Sequence, residues 1–309
     1  NTGTKQTEEW RERFGFIHNQ LTNNDDILTV DYITAAFDSA HAVNASYEAP
    51  LFDLERWRWS VYGNWAEFTA SDVGFADEEF SGSSWSAGGD LIVNVFQWNE
   101  TFVDVVGGVK WEHVEVRNDI IREEGREDFF LPHIGVELER VTETMTTLIS
   151  ADFEQSVASV SDTQEEELVK LGRLFADEDS RRLTWFAQHS MYIEPLLWRD
   201  AWEDVDTWSS STLAHELVFI TKGQYAFASR LNPQRERTVG GLYSVRGYEE
   251  SLVAADTAVM FTAEYRFHLP RVFAPQQDPE PFLWDQSFKW RPQYVYGRPD
   301  WDLIFRGFF

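Results

Sequence analysis

The side chains of this sequence that could do chemistry are scattered, with one exception. Seven histidines, His18, His41, His113, His133, His189, His215 and His268, stand apart, and no HExxH pair exists to hold a metal on one helix face. A G-x-S-x-G elbow and a glycine-rich phosphate loop ahead of a helix are both missing. Glu137 and Glu139 share a face of an alternating stretch, as a glycosidase acid and base would. In a chain with 53 acidic residues such pairs arise by chance, and solvated carboxylates are the simpler account. The exception is Gly240-Gly241-Leu242-Tyr243-Ser244-Val245-Arg246-Gly247-Tyr248, preceded by Glu236-Arg237-Thr238. Two glycines followed by Arg-Gly-aromatic describe a loop that turns sharply, lets backbone approach backbone, and presents one guanidinium. On a surface hairpin that Arg is an ordinary cation. Inside a pore it would pair with an inward carboxylate and pin the loop there. The expectation is no catalytic residue, no cofactor and no metal site.

The elements around this loop alternate with a period of two. Val43, Ala45, Tyr47, Ala49 and Leu51 oppose Asn44, Ser46 and Glu48, and Trp57, Trp59, Val61, Gly63 and Trp65 oppose Arg58, Ser60, Tyr62 and Asn64. The pattern returns over Trp85–Val95, Val103–Trp111 and Leu183–Ile193. It is clearest after the loop, where Val259, Phe261, Ala263, Tyr265, Phe267 and Leu269 alternate with Met260, Thr262, Glu264, Arg266 and His268. Roughly a dozen such segments occur, near the ~9–11 residues of a tilted membrane strand. Their apolar faces carry the Trp and Tyr of an interfacial girdle. Their polar faces carry Asp90, Lys110, Glu112, Glu264 and Arg266, which suit a watery lumen and not a dry core.

Connections alternate in length. Tight joins at Phe52–Glu55 and Gln97–Glu100 contrast with long polar segments at Thr69–Gly82, Arg117–Asp128, Ala158–Ser180 and Trp198–Ser210, the asymmetry of an up-and-down meander with turns on one side and loops on the other. A short helix is expected near Glu165–Leu174, within a loop that needs no core of its own. Composition narrows the rest. The net charge of −27 repels a phosphate backbone, so nucleic acid is excluded as a default partner. With no cysteine there is no disulfide or thiolate chemistry, and no apolar run approaches the ~20 residues of a spanning helix. Asn1 in place of Met, with no leader after it, reads as a piece of a longer precursor.

Val245-Arg246-Gly247-Tyr248, with Gly240-Gly241 before it and the strand ending Glu264-Tyr265-Arg266-Phe267-His268-Leu269-Pro270 after it, resembles the polypeptide-transporting outer-membrane barrel superfamily. Within that superfamily it most resembles the TpsB transporters of two-partner secretion, the haemolysin secretion/activation proteins of ShlB/FhaC/HecB type. The resemblance implies a sixteen-stranded transmembrane antiparallel up-and-down β-barrel, a long loop folded into the pore with Val245, Arg246, Gly247 and Tyr248 at its tip, and POTRA domains ahead of the barrel. It also implies that Arg246 is the lumen-anchoring cation, with an Asp of a Phe-x-Asp-x-Gly motif as its partner. The chain ends Gly307-Phe308-Phe309, where that Asp would follow, so the partner and last strands are expected to lie beyond it.

The expectation is therefore all-β, with residues 1–309 as a truncated outer-membrane barrel domain of about 12 strands. Thr262, Glu264 and Arg266 would face the lumen on the strand after the loop. The expected partners are a secreted polypeptide, outer-membrane lipid and the parent chain's POTRA domains, in a Gram-negative-type outer membrane. Two alternatives stand beside this one. One is an assembly factor for other outer-membrane proteins. The other is a soluble Trp-rich β-sandwich that stacks carbohydrate on Trp57, Trp59 and Trp85.

Overall fold

Wherever apolar and polar residues alternate, the chain is extended and hydrogen-bonded to its neighbour in sequence. The computed structural model describes residues 10–35, 37, 40–52, 54–73, 78–118, 123–198, 213–241, 244–249, 251–272, 280–281, 287–288 and 302–308. Its elements are β1 (Glu12–Asn19), β2 (Ile27–Ala35), β3 (Ala40–Pro50), β4 (Trp57–Val73), β5 (Glu78–Trp98), β6 (Thr101–Asn118), β7 (Glu123–Val141) and β8 (Met145–Gln155). Two short helices follow, α1 (Ala158–Ser161) and α2 (Glu165–Lys170), then β9 (Arg181–Tyr192), α3 (Glu194–Leu197) and β10 (His215–Tyr225). The rest comprises β11 (Arg237–Val239), β12 (Val253–Ala255), β13 (Ala258–His268), β14 (Glu280–Pro281), β15 (Ser287–Phe288) and β16 (Ile304–Phe308).

Twelve strands form one antiparallel sheet in the order β1-β2-β3-β4-β5-β6-β7-β8-β9-β10-β13-β16, consecutive strands adjacent as far as β10, with β1 and β16 at the two ends. The β11–β12 and β14–β15 pairs are separate ribbons. Tight joins behave as their residues dictate. Asn99, a residue that tolerates the left-handed region, takes φ 49° in a two-residue turn between β5 and β6, so Gln97 and Trp98 belong to the strand.

Two expected long loops are largely strand. The β4–β5 ladder continues to Val73 opposite Glu78, and the β6–β7 ladder to Asn118 opposite Glu123. Of the polar segments 69–82 and 117–128, only 74–77 and 119–122 lie outside the described residues. The cause is physical: a ladder is held by backbone groups and continues through Ser, Asp, Glu and Gly once both flanking strands are in register. At 21 residues β5 far exceeds what a bilayer requires. The Trp198–Ser210 segment lies, beyond Trp198, outside the described residues.

The two faces of the sheet are inverted relative to a water-soluble protein. Val259 and Phe261 are about two-thirds exposed on one face of β13 while Met260, Glu264 and His268 are buried on the other. Trp65, Trp85, Val95 and Val109 are exposed on the same outer face. Trp57, Trp59 and Trp85, candidate carbohydrate platforms in the sandwich alternative, belong to this face too, in a single sheet and not between two. On the inner face polar groups answer one another: His133 Nε2 meets Asp90 Oδ1 at 3.1 Å, and Asn94 Nδ2 donates to Asp104 Oδ1 at 2.6 Å.

The acidic segment between β8 and β9 does have a core. Leu168, Leu171 and Ala176 are buried against Val114, Phe129 and Leu131 of β6 and β7. The helix α2 is shorter than expected, ending at Lys170. Its end lies so close to β7 that a side chain at Gly125 would collide with the Lys170 backbone. Helix and strand therefore touch where only glycine fits.

Candidate functional site

Two segments lie over the inner face: residues 156–180, which carry α1 and α2, and residues 226–257, which carry the Gly-Gly and Val-Arg-Gly-Tyr sequences. The second leaves β10 at Tyr225 and returns to the sheet at Ala258, the residue opposite Gln224, so its ends are closed by one rung of the β10–β13 ladder. Its stem is paired as β11 with β12, Arg237 opposite Ala255. Beyond the stem the chain turns on Gly240 (φ 125°) and Gly241 (φ 89°), a region that penalises any side chain. A Cβ on Gly240 would also strike the Glu249 carbonyl. Ser244 closes the turn, its Oγ accepting from Gly240 N–H at 2.7 Å and donating to the Gly240 carbonyl. Leu242 and Tyr243 lie outside the described residues.

Arg246 comes to the inner face of β13. Its Nη2 donates to Glu264 Oε1 at 3.1 Å, and its guanidinium carbon sits 3.6 Å from the centroid of the Phe308 ring. The register explains why both partners are there. Glu264 and Phe308 are directly opposite on β13 and β16, so they form one slot with an anionic wall and an aromatic wall. Glu264 is buried and its other oxygen is taken by Arg266, Nη2 to Oε2 at 3.0 Å. Arg266 also lies 3.6 Å from Glu216 on β10. Thr262 is one inward step before Glu264, opposite Ile220. Gly247 takes φ 89°, and Val245 and Tyr248 are exposed. The carboxylate beside Arg246 is thus Glu264. The Asp that the sequence resemblance implies, and Phe309, fall outside the described residues.

The stem is held by residues that sequence reasoning did not single out. Arg235, in the 3-10 turn Pro233–Arg235, is 2% exposed and donates to Glu154 Oε1 at 2.6 Å and to Ser180 Oγ at 2.8 Å. Burial pulls its guanidinium below the usual arginine value and the Glu154 charge opposes that pull, leaving the group cationic. Glu154 of β8 also receives Arg182 of β9 at 2.8 Å and Lys110 of β6 at 3.0 Å. One carboxylate therefore faces three cations, two from the wall and one from the inserted segment. The Arg235 carbonyl is itself bound by Gln224 Nε2 at 3.0 Å.

The two inserted segments are joined to each other. Arg173 forms a two-pronged contact with Asp256, donates to the Leu231 carbonyl, and meets Glu236 at 2.6 Å. The Asp256 hydrogen bond, with the Asp256 and Glu236 charges behind it, raises the Arg173 guanidinium above its usual value. Asp177 and Arg230 add two bonds, the Asp177 N–H to the Arg230 carbonyl at 2.8 Å and the Arg230 N–H to the Asp177 carboxylate Oδ2 at 2.7 Å. Among the described residues no group of His, Asp and Glu has the arrangement of a metal site. Glu137 and Glu139 stand on the inner face of β7, with Glu137 opposite Asp104 and Ser150.

Comparison with known proteins places this architecture. The family model described as haemolysin secretion/activation protein ShlB/FhaC/HecB matches residues 1–283. Among solved structures, CdiB from Escherichia coli is similar over 90% of this chain and 48% of its own, with TM-score 0.68 and 14% identity. CdiB from Acinetobacter baumannii is similar over 89% and 45%, with TM-score 0.62 and 16% identity. BamA from Haemophilus ducreyi lacking POTRA domains 1–3 is similar over 89% and 52%, with TM-score 0.52 and 12% identity. These likenesses establish the fold, and the chain spans about half the length of each of the three. No curated protein sequence matches it.

Proposed function

The chain belongs to the haemolysin secretion/activation family ShlB/FhaC/HecB, and from that premise we propose that it forms barrel wall and inserted loop of an outer-membrane pore that secretes an unfolded partner polypeptide. It is a transporter and not an enzyme. The outer face, rich in Trp, Phe and Val, meets lipid, and the inner face offers hydroxyls, amides and charges to an extended chain that has given up water. Residues 1–309 are one barrel domain, with POTRA domains elsewhere in the parent protein. The observation that carries the reading is the placement of Arg246 in the Glu264–Phe308 slot, which brings a long loop back to the wall it would otherwise leave.

Val245, Arg246, Gly247 and Tyr248 act as the loop tip, Gly240 and Gly241 as its hinge, and Glu264 with Arg266 as the receiving wall. Arg246→Ala in the full-length protein tests this. The expected result is a barrel that inserts and remains heat-modifiable on gels while export of the partner polypeptide is lost. Undiminished export by a stably inserted variant overturns the reading. An insertion role towards other outer-membrane proteins has less behind it, since it draws on fold likeness alone.

A further inference from the structure

We propose that Glu154 is a positioning residue that holds the inserted loop in the pore from its stem, independently of the Arg246 tip, by neutralising three cations that would otherwise drive the loop out. This rests on the pore reading above. The argument begins from charge and burial. Arg235 belongs to the inserted segment, and Lys110 and Arg182 belong to the wall. All three converge on the two Glu154 oxygens, at 2.6, 3.0 and 2.8 Å. The Glu154 side chain is 6% exposed and that of Arg235 is 2% exposed, so water screens little of their interaction. The only other carboxylate at Lys110 among the described contacts is Glu112, at 3.2 Å.

The arrangement is asymmetric, and the asymmetry makes it testable. Removing the Glu154 charge leaves Arg235 beside two wall cations with only the neutral Ser180 hydroxyl bonded to it and the Glu112 charge nearby, an outcome far worse than never having had the pair. Removing the Arg235 charge leaves Glu154 still paired with Arg182 and Lys110. Loss of Glu154 must therefore expel the stem, and loss of Arg235 must only loosen it. Arg173 joins the stem to residues 156–180, so a displaced stem also strains that tie, while the core beneath α2 holds its own segment against β6 and β7.

The experiment is single-channel recording of the full-length protein in planar bilayers, each variant first shown to be folded by heat-modifiable migration. Glu154→Gln, which keeps shape and removes charge, is expected to raise the open fraction roughly tenfold over wild type. Arg235→Met should raise it by a smaller factor. Adding Arg235→Met to Glu154→Gln should close part of the gain, because the stranded cation is gone. A general loss of packing would instead make the double variant more open than either single one. Glu154→Gln no more open than wild type, or a double variant more open than Glu154→Gln, overturns the proposal. Should Glu154→Gln fail to fold, Arg235→Met, which leaves the wall intact, carries the test, and a pore as closed as wild type overturns it. Export by the wild-type protein is measured separately. If gating follows the pattern and no polypeptide is exported, the transport reading falls while the stem lock stands.

Discussion

At its stem the inserted segment gives Arg235, almost wholly buried, to a carboxylate shared with two wall cations. At its tip it gives Arg246, whose side chain is 41% exposed, to a carboxylate shared with one other arginine and to the face of a phenylalanine. The chemistry is nearly the same and the surroundings differ. Arg235 is buried with Glu154 and finds no water in exchange for it, so the contact behaves as a fixed joint. Arg246 can trade Glu264 for water at little cost because Arg266 keeps that buried carboxylate paired, so the contact behaves as a latch. A single loop thus carries a joint and a latch, and only the latch is poised to open.

Substitutions at the two carboxylates test this contrast most severely. Glu154→Ala is expected to lower unfolding free energy by about 3–5 kcal/mol, as breaking a buried ion pair does. Glu264→Ala should cost clearly less, because Arg246 regains water. Urea unfolding of the inserted protein in lipid vesicles reads both, and equal losses would erase the distinction. Leu168→Ala comes next, at about 2–4 kcal/mol for a leucine buried in a small core. It should free the α2 segment while leaving the Arg246 latch as it is, which protease nicking within 156–180 would reveal.

The smallest effect is a control remote from both, in the turn between β1 and β2. Burial pushes the Asp26 carboxyl up, but hydrogen bonds from the Thr22 hydroxyl and N–H and from Asn24 N–H outweigh it and hold the group below its usual value. A depressed carboxyl contributes stability that is present above its unfolded value of about 3.9 and is lost as pH falls through the folded one. The deficit of Asp26→Asn should therefore be full at neutral pH and vanish in acid. A deficit that persists in acid would assign the effect to shape and not to charge.

What could be read in the sequence followed from chemistry that repeats. The dyad of β13 and the paired Trp of β4 needed only a period of two to reveal both faces, and the Gly-Gly and Arg-Gly signals located the latch residue by residue. Two features escaped for different reasons. Glu154 and Arg235 are single charges far apart in the chain, and no local pattern separates them from the many other charges. The core beneath α2 did leave a trace. Phe129-Phe130-Leu131 is apolar on both faces, and Val114 and Val116 follow Lys110 and Glu112 on the inner face of β6, which means something must cover the inner side of β6 and β7 there. Alternation marks the two faces where it holds, and its failure marks a covered surface.

Helix α2 has six residues and no side-chain cap of its own. The N–H of Gln164 is satisfied by Glu127 Oε2, 2.9 Å away on β7, and that of Glu165 by Glu178. A helix this short does not persist alone in water. Its start is written into a strand, so the strand must exist first. Helix α2 therefore takes its shape only against a β7 that is already in place.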